Sequence, residues 1–218
     1  MSTSTTLSPL VPNTTFAQLA TPERVATVAA ALTERGFLVQ QAETAADAKA
    51  AVLAYLAQFP AGQTVYDTSS TTVKQLGLEQ ADLTATGLVS QREQIDALDY
   101  ATQGDARRRL MAAPDVTIGS VHAITEAGQV LIGSASGSQI APYVFGSGAV
   151  LWIVGAQKLV SDLNEAYTRV QEYTVPLEDE RMRQTYGSPT TWAKTLIVER
   201  EVIPNRVTVL IVNENLGF

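Results

Sequence analysis

The single histidine of the chain, His122, lies four residues before Glu126 in the stretch "GSVHAITEAGQVLIGSASGSQ", which spans residues 119–139. In an extended strand, residues four apart point to the same face. A carboxylate at Glu126 could then act as a nucleophile, or as a base that the imidazole of His122 assists. The alternative is that Glu126 is a turn residue and His122 a half-buried structural residue. Spacing alone favours this alternative.

Two hydroxyl-rich segments, each after a predicted strand, could hold an anion through hydroxyl and backbone N–H groups. The second segment, which contains glycine, lacks the Walker lysine and the glycine spacing of a dinucleotide site. The alternatives are helix capping, which needs one hydroxyl rather than five, and a flexible turn. The TSSTT segment comprises Thr68, Ser69, Ser70, Thr71 and Thr72, and the candidate residues of the SASGSQ segment are Ser134, Ser136, Gly137, Ser138 and Gln139.

A third candidate is the "GAQK" stretch, in which Gly155 ends a buried apolar strand and Lys158 could supply a cation. The alternative is that Lys158 is an ordinary surface residue. We add Ser120, beside the histidine, to the candidate ligand-binding residues. Ligands of open α/β sheets bind beyond the carboxyl ends of the strands. We therefore predict that the TSSTT, SASGSQ and GAQK stretches line one pocket.

Strands that alternate with helices predict an α/β fold, a three-layer domain with a mostly parallel or mixed sheet. The last two strands flank Pro204–Asn205 and are predicted to form a hairpin. Residues 1–20 are predicted to be a flexible N-terminal tail, and residues 21–218 a single domain. Three further segments are predicted to be strands of one sheet, Val116–Val121, Val130–Ile132 and Ala149–Val154.

Composition excludes several classes of site. The net charge of −7 argues against a nucleic-acid surface, which needs clustered basic residues. The absence of cysteine excludes an iron–sulfur cluster or a cysteine-bound metal in this chain, and a single histidine excludes a multi-histidine metal site. The identity of any other cofactor stays open. No apolar run approaches a membrane span, and the first residues do not resemble a secretory signal, so we expect a cytoplasmic protein.

The final stretch, "RVTVLIVNENLGF", is apolar almost to its end. An apolar strand of this kind needs to be covered, because an exposed one pairs with other chains. The sequence therefore favours a homo-oligomer, with a homodimer as the simplest form.

Residues 113–170, "APDVTIGSVHAITEAGQVLIGSASGSQIAPYVFGSGAVLWIVGAQKLVSDLNEAYTRV", resemble the core of the LUD domain, the lactate-utilisation family that includes LutC-like proteins. The stretches "STTVKQLGL", "YTVPLEDERMRQTYG" and "VIPNRVTVLIVNENLGF" resemble the short, single-domain branch of that family. The resemblance implies a fold like that of the NagB/RpiA/CoA-transferase group. It also implies a link to the oxidation of L-lactate, in which LutC-like proteins accompany iron–sulfur oxidoreductase subunits.

Three hypotheses follow for the function. The first is a LUD-family protein of L-lactate or organic-acid utilisation that binds a small anionic metabolite, with any catalysis carried by Glu126 and His122. The second is a non-catalytic accessory or regulatory subunit of an iron–sulfur lactate-oxidising complex. The third is a transferase or isomerase of the CoA-transferase-like fold group. Whether the protein is an enzyme stays open.

Overall fold

The larger of two β-sheets forms the centre of the protein in a computed structural model that describes residues 10–218. All neighbouring strands of this sheet run parallel. The inner strands are short and mostly apolar, as expected for strands that are buried on both faces, whereas the two edge strands are partly exposed. In spatial order the strands of this sheet are β1 (Leu38–Ala42), β10 (Val207–Val212), β7 (Ala149–Gly155), β4 (Val116–Gly119), β2 (Thr64–Asp67) and β3 (Val89–Ser90).

A smaller mixed sheet packs on one face of the larger one. The pairs β5–β6 and β6–β9 are antiparallel, whereas β5–β8 is parallel. Ile124 and Ile132 of this sheet share a buried apolar cluster with Trp152 of the larger sheet. In spatial order its strands are β8 (Leu159–Val160), β5 (Ala123–Thr125), β6 (Val130–Ser134) and β9 (Lys194–Val198).

Helices cover both sides, which confirms the predicted α/β fold. Val52 and Leu56 of α2 pack on one face of the larger sheet, and Val28 and Leu32 of α1 pack on the other. The helices are α1 (Pro22–Glu34), α2 (Ala45–Leu56), α3 (Thr71–Gln75), α4 (Gln80–Thr84), α5 (Gln91–Asp96), α6 (Gly104–Ala112), α7 (Leu163–Arg169) and α8 (Val175–Tyr186).

The helix that crosses the outer face of the smaller sheet is continuous from α7 to α8. A π-helical turn at Val170–Thr174 joins the two segments. Gly187 ends α8 with a φ of 69°, a left-handed conformation that suits glycine at a helix C-cap. No helix among residues 10–218 is both long and apolar enough to cross a membrane.

Two predictions of strand pairing are wrong. Strand β6 belongs to the smaller sheet, not to the sheet that contains β4 and β7. Strands β9 and β10 do not form a hairpin, because β9 pairs with β6 whereas β10 lies between β1 and β7. Every residue of β10 is buried, and such a strand is most stable with a neighbour on each edge.

The position of β10 also removes the reason for which we expected a homodimer. Its apolar residues are covered within the domain by β1, β7 and the two apolar clusters. The homodimer stays a prediction.

The predicted N-terminal tail falls partly outside the described residues, which begin at residue 10. Within the described part, Thr14–Ala17 form a 3₁₀ turn with Asn13 at its N-cap. The backbone N–H of Asn13 donates to the carbonyl oxygen of Glu172 at 2.8 Å. This part of the chain therefore contacts the π-helical turn between α7 and α8.

Candidate functional site

A cavity of about 290 Å³ lies at the carboxyl ends of three adjacent parallel strands, β2, β4 and β7. Its volume is at the lower end of the range for small-molecule sites, about 300–1,000 Å³, so it suits a small metabolite. The lining residues are Thr68, Ser69, Ser70, Thr71, Thr72, Ser120, Val121, His122, Gly133, Ser134, Ala135, Ser136, Gln139, Tyr143, Lys158, Val170, Thr174, Val175, Glu178, Arg181, Thr190, Thr191, Trp192 and Phe218.

Lys158 is the buried basic residue of this lining, with 1% of its surface exposed. Its Nζ donates to Oγ1 of Thr72 at 2.9 Å and to Oγ of Ser120 at 3.0 Å. Each hydroxyl can direct its own proton to a backbone carbonyl oxygen, that of Leu216 for Thr72 and that of Val121 for Ser120. Both hydroxyls are therefore free to accept from the amine.

The electrostatic surroundings of Lys158 disfavour its charged form. Within residues 10–218, its amine forms no ion pair with a carboxylate. Burial, and then the positive charge of Arg169, lower the pKa of Lys158 well below its ordinary value. The sequence-based alternative, an exposed surface lysine, is wrong for this position.

Arg169 is the second buried basic residue near the cavity, and it lies behind the cavity wall at the end of α7. Its Nη1 donates to the carbonyl oxygen of His122 at 2.6 Å and to Oγ1 of Thr174 at 3.2 Å, and its guanidinium lies 5.2 Å from the centre of the Tyr173 ring. Its Nη2 is buried and has no hydrogen-bond partner among the described residues. Burial lowers its pKa only to about 10, so it stays charged at neutral pH.

His122 lines the cavity as a neutral hydrogen-bond donor. Its Nδ1 accepts from the backbone N–H of Gly133 at 3.0 Å, which places the ring proton on Nε2. Burial, and then the charges of Lys158 and Arg169, lower the pKa of His122 to about 3. Because the accepting nitrogen is already occupied, the ring can offer an N–H to a ligand but cannot act as a base there.

Glu126 does not line the cavity. Its Oε1 accepts from Nε of Arg24 at 2.7 Å, and both side chains are more than a third exposed. Strand β5 separates Glu126 from His122, and four residues of extended chain span about 13 Å. Even on the same face of the strand, as the sequence predicts, the two side chains lie at its opposite ends. They are therefore too far apart for joint catalysis.

The hydroxyls of the TSSTT segment are not used to cap a helix. Ser70 occupies the N-cap position of α3, but its side chain makes no capping hydrogen bond. Ser69 has a φ of 58°, a left-handed conformation that is uncommon for a residue with a side chain. Its backbone N–H donates to Oδ1 of Asp67 at 2.8 Å, which holds this turn. The segment thereby borders the cavity with all five of its residues.

The SASGSQ segment uses its polar groups mainly within itself. The Oγ of Ser134 donates to Oε1 of Gln139 at 2.9 Å and accepts from the N–H of Gly137 at 2.9 Å. The Nε2 of Gln139 donates to the carbonyl oxygen of Gly133 at 3.0 Å. The amide of Gln139, one of the predicted ligand-binding residues, therefore shapes the loop.

Three predicted ligand-binding residues are absent from the lining, namely Gly137, Ser138 and Gly155. Gly137 has a φ of 92° and makes the turn of the loop. Gly155 has a packing role, because a Cβ there would overlap with Oε1 of Gln157 and lie 2.7 Å from the backbone nitrogen of Leu216. Both glycines therefore have structural roles next to the cavity and do not line it.

Comparison with known families places the sequence in one of them. The LUD domain family matches residues 25–212. The chain belongs to the LUD domain family. This LUD domain is similar to the crystal structure of a DUF162 family protein from Deinococcus radiodurans, with 12% identity and a TM-score of 0.54 over 90% of this chain and 100% of that chain. That likeness supports the same α/β fold.

A second structure, that of eIF2B beta from Chaetomium thermophilum, overlaps more weakly. Its TM-score is 0.31 at 14% identity, over 65% of this chain and 44% of that chain. No curated protein matches this LUD domain.

Sequence reasoning missed several residues of the site in this LUD domain. The most important of them is Arg169. The one sequence feature that could have identified it is its position on the same apolar helical face as Ala166, Val170 and Tyr173. At the rim, Arg181 and Glu178 form a two-contact ion pair of 2.6–2.7 Å, which neutralises the acidic side chain of the lining. Residues 10–218 contain no cluster of three or more His, Cys, Asp or Glu that could hold a metal ion.

Proposed function

We propose that this LUD-domain protein binds a small organic anion, a carboxylic acid of a few carbon atoms, in the cavity beside Lys158. The observation that carries the proposal is the pair of buried basic groups, Lys158 and Arg169, neither of which has a carboxylate partner among the described residues. The family link to L-lactate makes organic-acid utilisation the metabolic setting that we propose.

A buried positive charge costs several kcal/mol unless an opposite charge or hydrogen bonds compensate for it. Lys158 can avoid that cost by losing its proton, whereas Arg169 cannot. A carboxylate bound in the cavity supplies the negative charge that these basic groups lack. Because Glu178 is already paired with Arg181, the protein's own acidic side chain does not compete for this place.

Size and lining indicate the kind of anion. Hydroxyls of the TSSTT segment and the Nε2–H of His122 can donate to a carboxylate, and Val170 and Trp192 offer apolar contacts for a short carbon chain. A volume of about 290 Å³ matches an acid such as lactate better than a coenzyme A ester. We therefore propose a small hydroxy or oxo acid as the ligand.

Thermal unfolding in the presence of L-lactate, pyruvate, glucose 6-phosphate and coenzyme A tests this proposal. A ligand present at 100 times its Kd stabilises a protein by about 2.7 kcal/mol, so a bound acid raises the melting temperature measurably. We expect L-lactate or pyruvate to do so, and Lys158→Met to abolish the rise. Lys74→Met is the matched control, because Lys74 is exposed and should leave the response unchanged.

Two outcomes would contradict the proposal. One is that neither acid changes the melting temperature of the wild-type protein at millimolar concentration. The other is that a folded Lys158→Met protein, verified by circular dichroism, responds to the acids as the wild-type protein does.

A further inference from the structure

The hydrogen bonds of Lys158 match those of a neutral amine. Its Nζ has two acceptors, Oγ1 of Thr72 and Oγ of Ser120. An ammonium group carries three N–H donors, whereas a neutral amine carries two and a lone pair. Within residues 10–218, the two acceptors therefore satisfy both N–H groups of the neutral form and no group pairs with its lone pair, at a residue that lines the cavity.

We propose that Lys158 is a nucleophile that condenses with the carbonyl group of a small 2-oxo acid to form a Schiff base. The proposal rests on the proposed function, because it names the class of acid that the cavity binds. The lone pair of Nζ forms a bond to the carbonyl carbon, and the π electrons of the carbonyl move to its oxygen. One amine proton moves to that oxygen, water leaves after a second proton transfer, and a C=N bond remains.

The neighbours of Lys158 suit the proton transfers of this step. The hydroxyls of Thr72 and Ser120 are 3.2 Å apart and both contact Nζ, so they can carry a proton from nitrogen to the departing oxygen. Burial and the Arg169 charge lower the pKa of the amine, which is how proteins make lysine reactive at neutral pH. The carboxylate of the acid would bind to the cavity hydroxyls and to Nε2–H of His122.

The other three lysines provide an internal comparison. Lys74 and Lys194 are exposed, and Lys49 is paired with Asp82 at 2.8 Å. Each pKa unit that separates Lys158 from them raises its fraction of free amine about tenfold at neutral pH. Chemical reduction of the Schiff base, which makes the bond to the acid permanent, should therefore label Lys158 in preference to the other three lysines.

The test is to incubate the full chain at pH 7 with pyruvate and sodium cyanoborohydride, and to measure its intact mass. We expect one adduct among the lysines, heavier by one pyruvic acid less one oxygen atom, and peptide mapping should place it on Lys158 on the order of tenfold or more above the other lysines. The N-terminal amine, which is also partly unprotonated at pH 7, maps to a separate peptide. L-lactate is the matched control, because it has no carbonyl group and should give no adduct. The Ser120→Ala variant should form the adduct more slowly than the wild-type protein.

The result separates this inference from the proposed function. A pyruvate-induced rise in melting temperature without an adduct on Lys158 would overturn the Schiff base and leave acid binding intact. Labelling spread evenly over the four lysines would overturn it as well. Because the mapping uses the wild-type protein, the test does not depend on the folding of any Lys158 variant.

Discussion

The TSSTT and SASGSQ segments have similar compositions, and both follow strands, but their hydroxyl groups have different partners. In the SASGSQ segment, Ser134 and Gln139 bond to each other and to the loop backbone. In the TSSTT segment, Ser70 makes no capping bond, and Thr72 contacts Lys158. One segment is therefore a self-supported wall, whereas the other offers its polar groups to the cavity. Composition alone does not distinguish these two uses.

The largest effect that we expect concerns His122. Its Nδ1 accepts a hydrogen bond from the backbone N–H of Gly133, directly before the SASGSQ segment. The His122 pKa of about 3 is below the ordinary value of 6.5, so the unfolded chain binds a proton that the folded protein excludes. Stability should therefore fall as pH decreases from about 6.5 to about 3, by up to about 5 kcal/mol at about 1.4 kcal/mol per pH unit. Denaturant unfolding across this range measures the loss.

His122→Asn is the control for this prediction. The Oδ1 of asparagine can accept from Gly133 in place of Nδ1 but does not titrate, so the variant should lose less stability in acid. If the free energy of unfolding of this variant falls with decreasing pH as steeply as that of the wild-type protein, other groups cause the acid sensitivity.

The next effect concerns the internal bonds of the SASGSQ wall. Ser134→Ala removes the partner of Gly137 and of Gln139, and we expect a loss of about 1–3 kcal/mol in the free energy of unfolding. Chemical denaturation measures it. Ser136→Ala, at an exposed position of the same loop, should change stability by less than about 0.5 kcal/mol. Equal effects of the two changes would contradict the self-supported wall.

A smaller effect is expected where the TSSTT segment contacts Lys158. Thr72→Val keeps the shape of the side chain but removes one acceptor of Nζ, so the amine is held less well. The Kd for the carboxylate that stabilises the wild-type protein should rise about tenfold, which corresponds to roughly 1.4 kcal/mol. Isothermal titration calorimetry measures this change. An unaltered Kd would mean that Lys158 is positioned without Thr72.

The smallest effect should come from Ser70. Because its hydroxyl makes no capping hydrogen bond, Ser70→Ala should change the free energy of unfolding by less than about 0.5 kcal/mol. Thr21→Ala is the matched comparison, since the Thr21 side chain accepts from the N–H of Arg24 and caps α1. That change should cost about 1 kcal/mol. If Ser70→Ala costs as much, the hydroxyl does serve the helix.

Much of the fold could be predicted because its signals are local. The caps of α1 and α8 lie at Thr21 and Gly187, residue types that favour a helix N-cap and a helix C-cap respectively. The fully apolar run Ala149–Gly155 is an inner parallel strand. The partners of β6, β9 and β10 could not be predicted in the same way, because an apolar strand pattern records burial but not which distant strand covers it.

In the candidate site, too, some features follow from the local sequence and others depend on long-range packing. The sequence alone indicates that the TSSTT segment and Lys158 follow strands of a parallel sheet, and parallel strands bring their carboxyl ends to one edge. The SASGSQ segment reaches the same cavity from β6 of the smaller mixed sheet, which the sequence did not indicate. Long-range packing alone buries Lys158 against Thr72 and Ser120, places Arg169 behind the cavity wall, and pairs Glu126 with Arg24. The reason is that burial and charge depend on neighbours far away in the chain, and those neighbours control the pKa of an amine and the partners of a hydroxyl.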